Sequence, residues 1–165
     1  MKQLTQKYCI ISLLEPLDES GFVKFSWKDW VLHITFAGVH HAEWDDVMIE
    51  EFEKLIRSIQ SFKVKTTEEG LLGLGKTAAK VVFVEKNAGL LHLHNSIIDF
   101  IINHNGVFNN PEWNKEGYIP HSTIQRHSQV SENQEIIIDN IVLIDMFPDG
   151  DGYMRKIIKV IKLKK

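Results

Sequence analysis

Two short stretches of sequence decide the interpretation of this chain: LHITFAG from residue 32 and YIPHSTIQRH from residue 118. Each contains a histidine, one intervening residue and a threonine, namely His33 with Thr35 and His121 with Thr123. Apolar residues alternate around both motifs, which predicts two short β-strands. Since successive side chains of a strand point to opposite faces, the histidine and the threonine of each motif share one face. Two such strands meeting face to face would combine an imidazole pair with two hydroxyl donors.

The repetition of the motif matters more than either copy. A single His-x-Thr is a weak signal, whereas two copies in strand-like surroundings favour a shared site. His94 and Ser96 form a similar pair, but they lie in a helical pattern. Residues two apart on a helix do not share a face, so we exclude this third pair.

Length, composition and charge indicate an ordinary globular protein. The 165 residues predict one domain, 1–165, with 44% hydrophobic and 25% charged residues. A net charge of −3 gives no overall attraction to nucleic acid or anionic membranes. The single cysteine, Cys9, excludes an intrachain disulfide and favours a reducing compartment. No apolar run approaches the length of a membrane span. We therefore expect a cytoplasmic protein with no membrane association and no obligate protein partner.

Two helices are predicted from apolar spacing and capping residues. A stripe at every third or fourth position predicts a helix beginning at Asp45 or Asp46; its members are Trp44, Met48, Phe52, Leu55, Ile59 and Phe62. A second helix should run over 88–104, with Asn87 as its N-cap. The Asn105-Gly106 pair is a typical helix stop.

Strands are predicted between and around these helices. Apolar or β-branched runs indicate strands at 8–14, 62–66 and 80–84, while 107–117 reads as a loop. A hairpin with arms at 135–146 and 155–163 should follow the second motif. Each half of the chain then holds strands, one helix and one His-x-Thr strand. The predicted fold is α+β, with two pseudo-symmetric lobes of antiparallel sheet plus helix around a central cleft that carries both motifs.

Residues 70–77, GLLGLGKT, match the phosphate-loop pattern G-x-x-x-x-G-K-[ST] letter for letter. A nucleotide-binding phosphate loop should open a helix, yet the strand-like run Val81-Val82-Phe83-Val84 follows almost at once. An NTPase using this loop is therefore the least favoured function. We interpret the segment as the connection between the two lobes.

Two His-x-Thr strands in a chain of this length resemble the two-histidine phosphoesterase superfamily. It includes the bacterial RNA 2′,3′-cyclic phosphodiesterases, also called 2′-5′ RNA ligases. The second motif is the closer match, because Pro120 precedes the histidine and Arg126 lies three residues after Thr123. The terminal hairpin, with Tyr153 before its second arm, is also similar. The resemblance covers the order of helices and strands over most of the chain.

The resemblance implies that His33 and His121 share the roles of general base and general acid, with Thr35 and Thr123 binding the phosphate. The chemistry is consistent with this, since opening a 2′,3′-cyclic phosphate needs one proton acceptor and one proton donor near neutral pH. The expected partner is RNA ending in a 2′,3′-cyclic phosphate, or a small cyclic nucleotide. Two alternatives use the same site: a non-catalytic domain that binds RNA or nucleotide phosphate, and an RNA ligase.

Arg126 and Tyr118 complete the predicted site as substrate-binding residues. A guanidinium can hold a phosphate by two hydrogen bonds, although strict alternation along the strand would turn Arg126 away from His121. Tyr118 is a candidate for stacking on a base, as is Trp113, for which packing onto the core is the favoured interpretation. The remaining histidines lack the carboxylate or cysteine neighbours of a zinc site, so we predict neither a metal nor another cofactor.

Overall fold

A computed structural model describes residues 6–16 and 24–165. The strands and helices of this part of the chain are, in order, β1 Tyr8–Leu13, β2 Lys24–Ser26, β3 His33–His41, α1 Asp46–Ser58, β4 Phe62–Leu72, β5 Ala79–Val84, α2 Ala88–Asn103, β6 Val107–Phe108, β7 His121–Thr123, β8 Glu135–Ile138, β9 Asn140–Asp145 and β10 Met154–Lys162. Neither helix is long and apolar enough to cross a membrane, as judged over the residues just given.

The strands form one antiparallel sheet in the order β2-β10-β9-β1-β3-β7-β5-β4-β8, with β6 added beside β3. The two motif strands, β3 and β7, are neighbours at its centre and pair through Ile34 and Ser122. One half of the sheet, β2 to β3 in this order, carries the first motif at its inner edge, and the other half carries the second. The predicted α+β class is confirmed. The two motifs meet edge to edge in one sheet rather than across facing sheets.

Both helices form where apolar spacing and capping residues predict them. Asp45 caps α1 by accepting a hydrogen bond from the Met48 amide at 2.8 Å, and Asn87 caps α2 in the same way through Leu90 at 2.9 Å. The buried face of α1 and most of α2 join the main core on one side of the sheet. Because this side is covered, the opposite side is left for a small apolar cluster, with Ile11 and Ile144 among its members, and for the motifs.

Strand β3 carries a β-bulge beside its motif. Ile11 pairs with Thr35 and the preceding Ile10 pairs with Ala37, so Phe36 is an extra residue without a partner in β1. The bulge lets both Phe36 and Ala37 enter the main core, where each is almost fully buried. Thr35, immediately before the bulge, keeps its side chain on the motif side of the sheet.

Two segments have other strands than the sequence-based predictions give them. The predicted arm 135–146 is two strands: β8 pairs with β4, whereas β9 lies between β1 and β10. The buried Asn140 marks the crossing, and its side-chain amide donates to and accepts from the backbone of Leu13. The predicted loop at 107–117 includes the short strand β6, which extends the sheet beside β3.

The interpretation of residues 70–77 as a connection between lobes is wrong, and the segment does not open a helix as the least favoured alternative, a phosphate loop, would require. Gly70 lies inside β4, which continues to Leu72, and a short 3₁₀ turn at Gly75–Thr77 leads directly into β5. The segment is thus the tip of the β4–β5 hairpin. Gly73 and Gly75 both have positive φ, of 104° and 60°, so the glycine pattern satisfies turn geometry.

Candidate active site

The sheet register brings the four motif side chains together. Ile34 pairs with Ser122, so continuing this antiparallel register by one residue in each direction places His33 beside Thr123 and Thr35 beside His121. All four side chains lie on the side of the sheet opposite the helices, and all four are partly exposed. The four side chains form a small square on the two neighbouring strands, in which each imidazole has a hydroxyl beside it.

The two motif histidines are held in the same way. Nδ1 of His33 donates to the carbonyl of Val31 at 2.6 Å, and Nδ1 of His121 donates to the carbonyl of Ile119 at 2.7 Å. A carbonyl can only accept, so the proton of each neutral ring lies on Nδ1 and Nε2 is left as the basic atom. Within the described residues, neither Nε2 has a hydrogen-bond partner. Each ring thus presents one free nitrogen to the cleft.

Burial lowers the pKa of both histidines below the ordinary value of 6.5. For His33 the loss of solvent is the main cause, and the positive charge of a protonated His121 lowers its pKa further. For His121 burial is again the main cause. The hydrogen bonds from Nδ1 to the two carbonyls act in the opposite direction, because they stabilise the protonated rings. The electrostatic link between the rings favours a state in which only one of them is protonated.

Two cavities flank the histidine pair, and they differ in charge. The His33 cavity, of about 600 Å³, is lined by His33, Thr123 and the cationic side chains of Lys28 and Arg126. The His121 cavity, of about 270 Å³, is lined by His121 together with aromatic and amide side chains: Trp113, Tyr118, Asn110 and Asn114. Thr35 borders both. Among the residues described, no carboxylate lines either cavity, which suits an anionic ligand.

Arg126 lies at the cavity that the motif residues border. Strand β7 ends at Thr123, so the alternation that would have turned Arg126 to the opposite face no longer applies. Its side chain is exposed and borders the same cavity as His33 and Thr123. A guanidinium at this position can approach a phosphate bound between the histidines.

The stacking role predicted for Tyr118 is not supported, because its ring is already packed. Tyr118 is only 6% exposed, and its ring stacks on the ring of His94 with centroids 3.7 Å apart. The hydroxyl donates to the carbonyl of Thr35 at 2.7 Å. Trp113, in contrast, is 48% exposed at the edge of the His121 cavity and offers the free aromatic surface that Tyr118 lacks.

Sequence reasoning missed the aromatic support of His33. The ring of Trp30 lies 4.7 Å from that of His33, and the Arg155 guanidinium lies 5.8 Å from the Trp30 ring. Trp27, 45% exposed, and Lys28 extend this wall to the surface. The sequence signal was the Trp27-Lys28-Asp29-Trp30 run just before the first motif, where two tryptophans flank a lysine.

The comparisons with known proteins bear on the fold. No family model and no curated protein sequence matches the chain. Among solved structures, a phosphoesterase aligns over 97% of this chain and 99% of its own, at 15% identity and a TM-score of 0.56. A protein of Thermus thermophilus aligns over 96% and 98%, at 11% identity and a TM-score of 0.61. E. coli LigT complexed with 3′-AMP aligns over 97% and 99%, at 14% identity and a TM-score of 0.58. The chain has the fold of the LigT-like phosphoesterases.

The LigT-like fold confirms, at the level of architecture, the resemblance on which the two motifs were interpreted. E. coli LigT has also been crystallised with phosphate, with ATP and with NADP⁺. The alignments extend over nearly the whole length of both chains, so the two motif strands and both halves of the sheet lie within the shared fold.

Proposed function

We propose that this protein is a metal-independent phosphodiesterase that opens the 2′,3′-cyclic phosphate at the end of an RNA or of a small cyclic nucleotide. The observation that carries the proposal is the symmetric presentation of two free imidazole nitrogens, each beside a threonine hydroxyl. General acid–base catalysis of this reaction requires two groups that titrate near neutrality on one phosphate.

The reaction uses each histidine in a different protonation state. The neutral imidazole accepts a proton from water while the water oxygen bonds to phosphorus. As the bond from phosphorus to one ribose oxygen breaks, the protonated imidazole donates its proton to that oxygen. The result is a phosphate monoester and a free hydroxyl, and the histidines have exchanged protonation states. Thr35 and Thr123 donate to the nonbridging oxygens, which carry the charge as the pentacoordinate transition state forms.

Lys28 and Arg126 supply positive charge on the side of His33, where they would hold the anionic substrate without a metal ion. Their cavity shares Thr35, Gly38 and Val39 as lining residues with the neutral His121 cavity. The anionic cyclic phosphate suits the cationic side, while the uncharged base and ribose of the terminal nucleoside suit the neutral His121 cavity. RNA is therefore our proposed partner.

RNA ligation through the same site is a second candidate, favoured by the presence of cavities on both sides of the histidine pair. Ligation is the same ring opening with a different nucleophile: a 5′-hydroxyl replaces water, bonds to phosphorus and gives its proton to the base, while the acid protonates the leaving ribose oxygen. Hydrolysis needs room only for water beside the cyclic phosphate, whereas the His33 cavity, of about 600 Å³, also has room for an attacking strand. Supplying a 5′-hydroxyl oligonucleotide together with the cyclic phosphate would reveal the joined product.

Turnover of an oligoribonucleotide with a 2′,3′-cyclic phosphate end, measured in EDTA, tests the proposal. His33→Ala and His121→Ala should each lower kcat by about 10²- to 10⁴-fold. His92, an exposed histidine on α2 outside both cavities, provides the matched control, and His92→Ala should retain wild-type turnover.

Equal trace activity in all four proteins would refute catalysis of this substrate. Saturable binding of the 2′-phosphate product by such an inactive wild type would then identify a phosphate-binding domain. Activity that disappears in EDTA and returns with Mg²⁺ would refute the metal-independent mechanism.

A further inference from the structure

The backbone next to Thr35 is held by two side chains from the other half of the protein. Strands β3 and β7 pair only through Ile34 and Ser122 before they diverge and the His121 cavity opens. The carbonyl of Thr35 therefore receives no hydrogen bond from β7. The Tyr118 hydroxyl takes this place and donates to the carbonyl oxygen at 2.7 Å.

The next carbonyl along β3, that of Phe36, lies at the bulge and lacks a partner in β1. His94 of α2 supplies the missing donor, since its Nδ1 lies 2.7 Å from the Phe36 carbonyl oxygen. The other ring nitrogen, Nε2, accepts a hydrogen bond from the Lys115 amide at 2.9 Å. These two bonds fix one neutral tautomer and use both nitrogens, so His94 has no nitrogen available for proton transfer to substrate.

The two side chains form one unit. Their rings stack with centroids 3.7 Å apart and an interplanar angle of 5°, and His94 is only 1% exposed. Burial lowers the pKa of His94 to about 4 and raises that of Tyr118. At neutral pH the imidazole thus stays uncharged and the phenol stays a hydrogen-bond donor. Both hydrogen bonds to β3 are therefore present at neutral pH.

We propose that Tyr118 and His94 are positioning residues that fix the side chain of Thr35 against the phosphate by holding the two consecutive carbonyls of the β3 bulge. This inference rests on the proposed function for its kinetic consequence. Tyr118 was predicted to contact the substrate; here it acts instead by positioning Thr35. β-Bulges commonly re-aim side chains beside active sites, and here the bulge is stabilised from across the sheet.

The kinetic test is a double-mutant cycle between Tyr118→Phe and Thr35→Ala. Tyr118→Phe removes one hydroxyl and should lower kcat by about 10- to 100-fold with little change in KM, because a misplaced donor weakens transition-state contacts most. In the Thr35→Ala background the same substitution should have no further effect on kcat. The matched control is Thr66→Val, which removes a buried hydroxyl from β4 that donates to the Ser131 carbonyl and lies outside both cavities.

His94 is tested by comparing two replacements. The amide of His94→Asn can still donate to the Phe36 carbonyl, whereas His94→Leu cannot donate. The proposal expects His94→Asn to retain at least about tenfold more kcat than His94→Leu when both are folded. Equal loss in the two variants would indicate that packing, rather than the hydrogen bond, sets the contribution of His94.

A measurement independent of turnover is the rotamer of Thr35. Three-bond NMR couplings from its methyl carbon to the backbone nitrogen and carbonyl should report one χ1 value in the wild type and an average over several in Tyr118→Phe. Couplings in Tyr118→Phe that equal those of the wild type would overturn the proposal. So would a double variant whose loss of kcat is the product of the losses in Tyr118→Phe and Thr35→Ala. If the wild type shows no turnover, the proposed function fails, and the couplings alone decide the positioning role.

Discussion

The charge of the His33 cavity makes a quantitative prediction about salt. Lys28 and Arg126 are the cationic residues that line this cavity in the described part of the chain. If each contacts one phosphate of a single-stranded RNA, the logarithm of the association constant should fall with the logarithm of salt concentration at a slope of about −1.4, from about −0.7 per contact. Raising salt from about 50 to 200 mM should then weaken binding about sevenfold.

Replacing either cation should reduce this dependence by half. Lys28→Gln or Arg126→Gln leaves one contact, so the same change in salt should weaken binding only about 2.6-fold. The assay is fluorescence anisotropy with an oligoribonucleotide that ends in a 2′-phosphate, which is the expected product and is not turned over. Lys65→Gln provides the control, because Lys65 is an exposed residue of β4 outside both cavities.

The slope, rather than the affinity, decides the result. A substitution that only disturbs folding or packing weakens binding at every salt concentration and leaves the slope unchanged. If Lys28→Gln and Arg126→Gln both keep the wild-type slope, as Lys65→Gln should, the two cations do not contact phosphate and the proposed path of RNA is wrong.

Burial and packing give three further predictions. Because burial lowers the pKa of His33 and His121, the acidic limb of kcat/KM should lie below pH 6.5. The acidic limb of kcat should lie higher, since bound phosphate stabilises the protonated rings. An acidic limb of kcat/KM at or above pH 6.5 would contradict this prediction. Burial lowers the pKa of His40 to about 4, so His40 takes up a proton at a higher pH in the unfolded state than in the folded state. Its contribution to the free energy of unfolding is fully present above pH 6.5 and should fall by up to about 3 kcal/mol as the pH drops from 6.5 towards 4. Urea denaturation across this pH range measures the loss. An added Cβ at Gly117 would overlap the Glu112 carbonyl oxygen, so Gly117→Ala should displace the wall of the His121 cavity and raise KM. A Tm from calorimetry and a KM that both equal those of the wild type would contradict this prediction.

Local patterns predicted the parts of the fold that local physics determines. The caps at Asp45 and Asn87 and the apolar stripe of α1 act within a few residues of one another, so the helix starts were predicted correctly. Strand alternation also placed the histidine and threonine of each motif on one face. Residues 70–77 match the phosphate-loop pattern, but the strand-like run that follows them already argued against a phosphate loop, in agreement with the hairpin that is present.

Partners distant in sequence could not be predicted in the same way. The polar pair Asp139-Asn140 interrupts the apolar run 135–146, but it does not identify which strands lie beside each part of the run. Tyr118 illustrates the same limit: an aromatic residue beside a catalytic motif is typical of a stacking surface, and only the position of His94 shows that its ring is covered. The bulge at Phe36 depends on the register with β1, which the sequence of β3 does not contain.

The crossing from β8 to β9 also bears on how the chain assembles. All strands of the His121 half come from one continuous segment, 62–138, whereas the His33 half is built, apart from β6, from strands on either side of it. Cys9 and Met146, whose sulfur atoms lie 3.5 Å apart, are separated by 137 positions. The entropy lost in closing so long a loop must be recovered before β9 can brace β1, while hairpins such as β4–β5 close locally. We therefore expect folding to proceed from the segment around the second motif outward, so that the first histidine, although earlier in the chain, reaches its final place after the second.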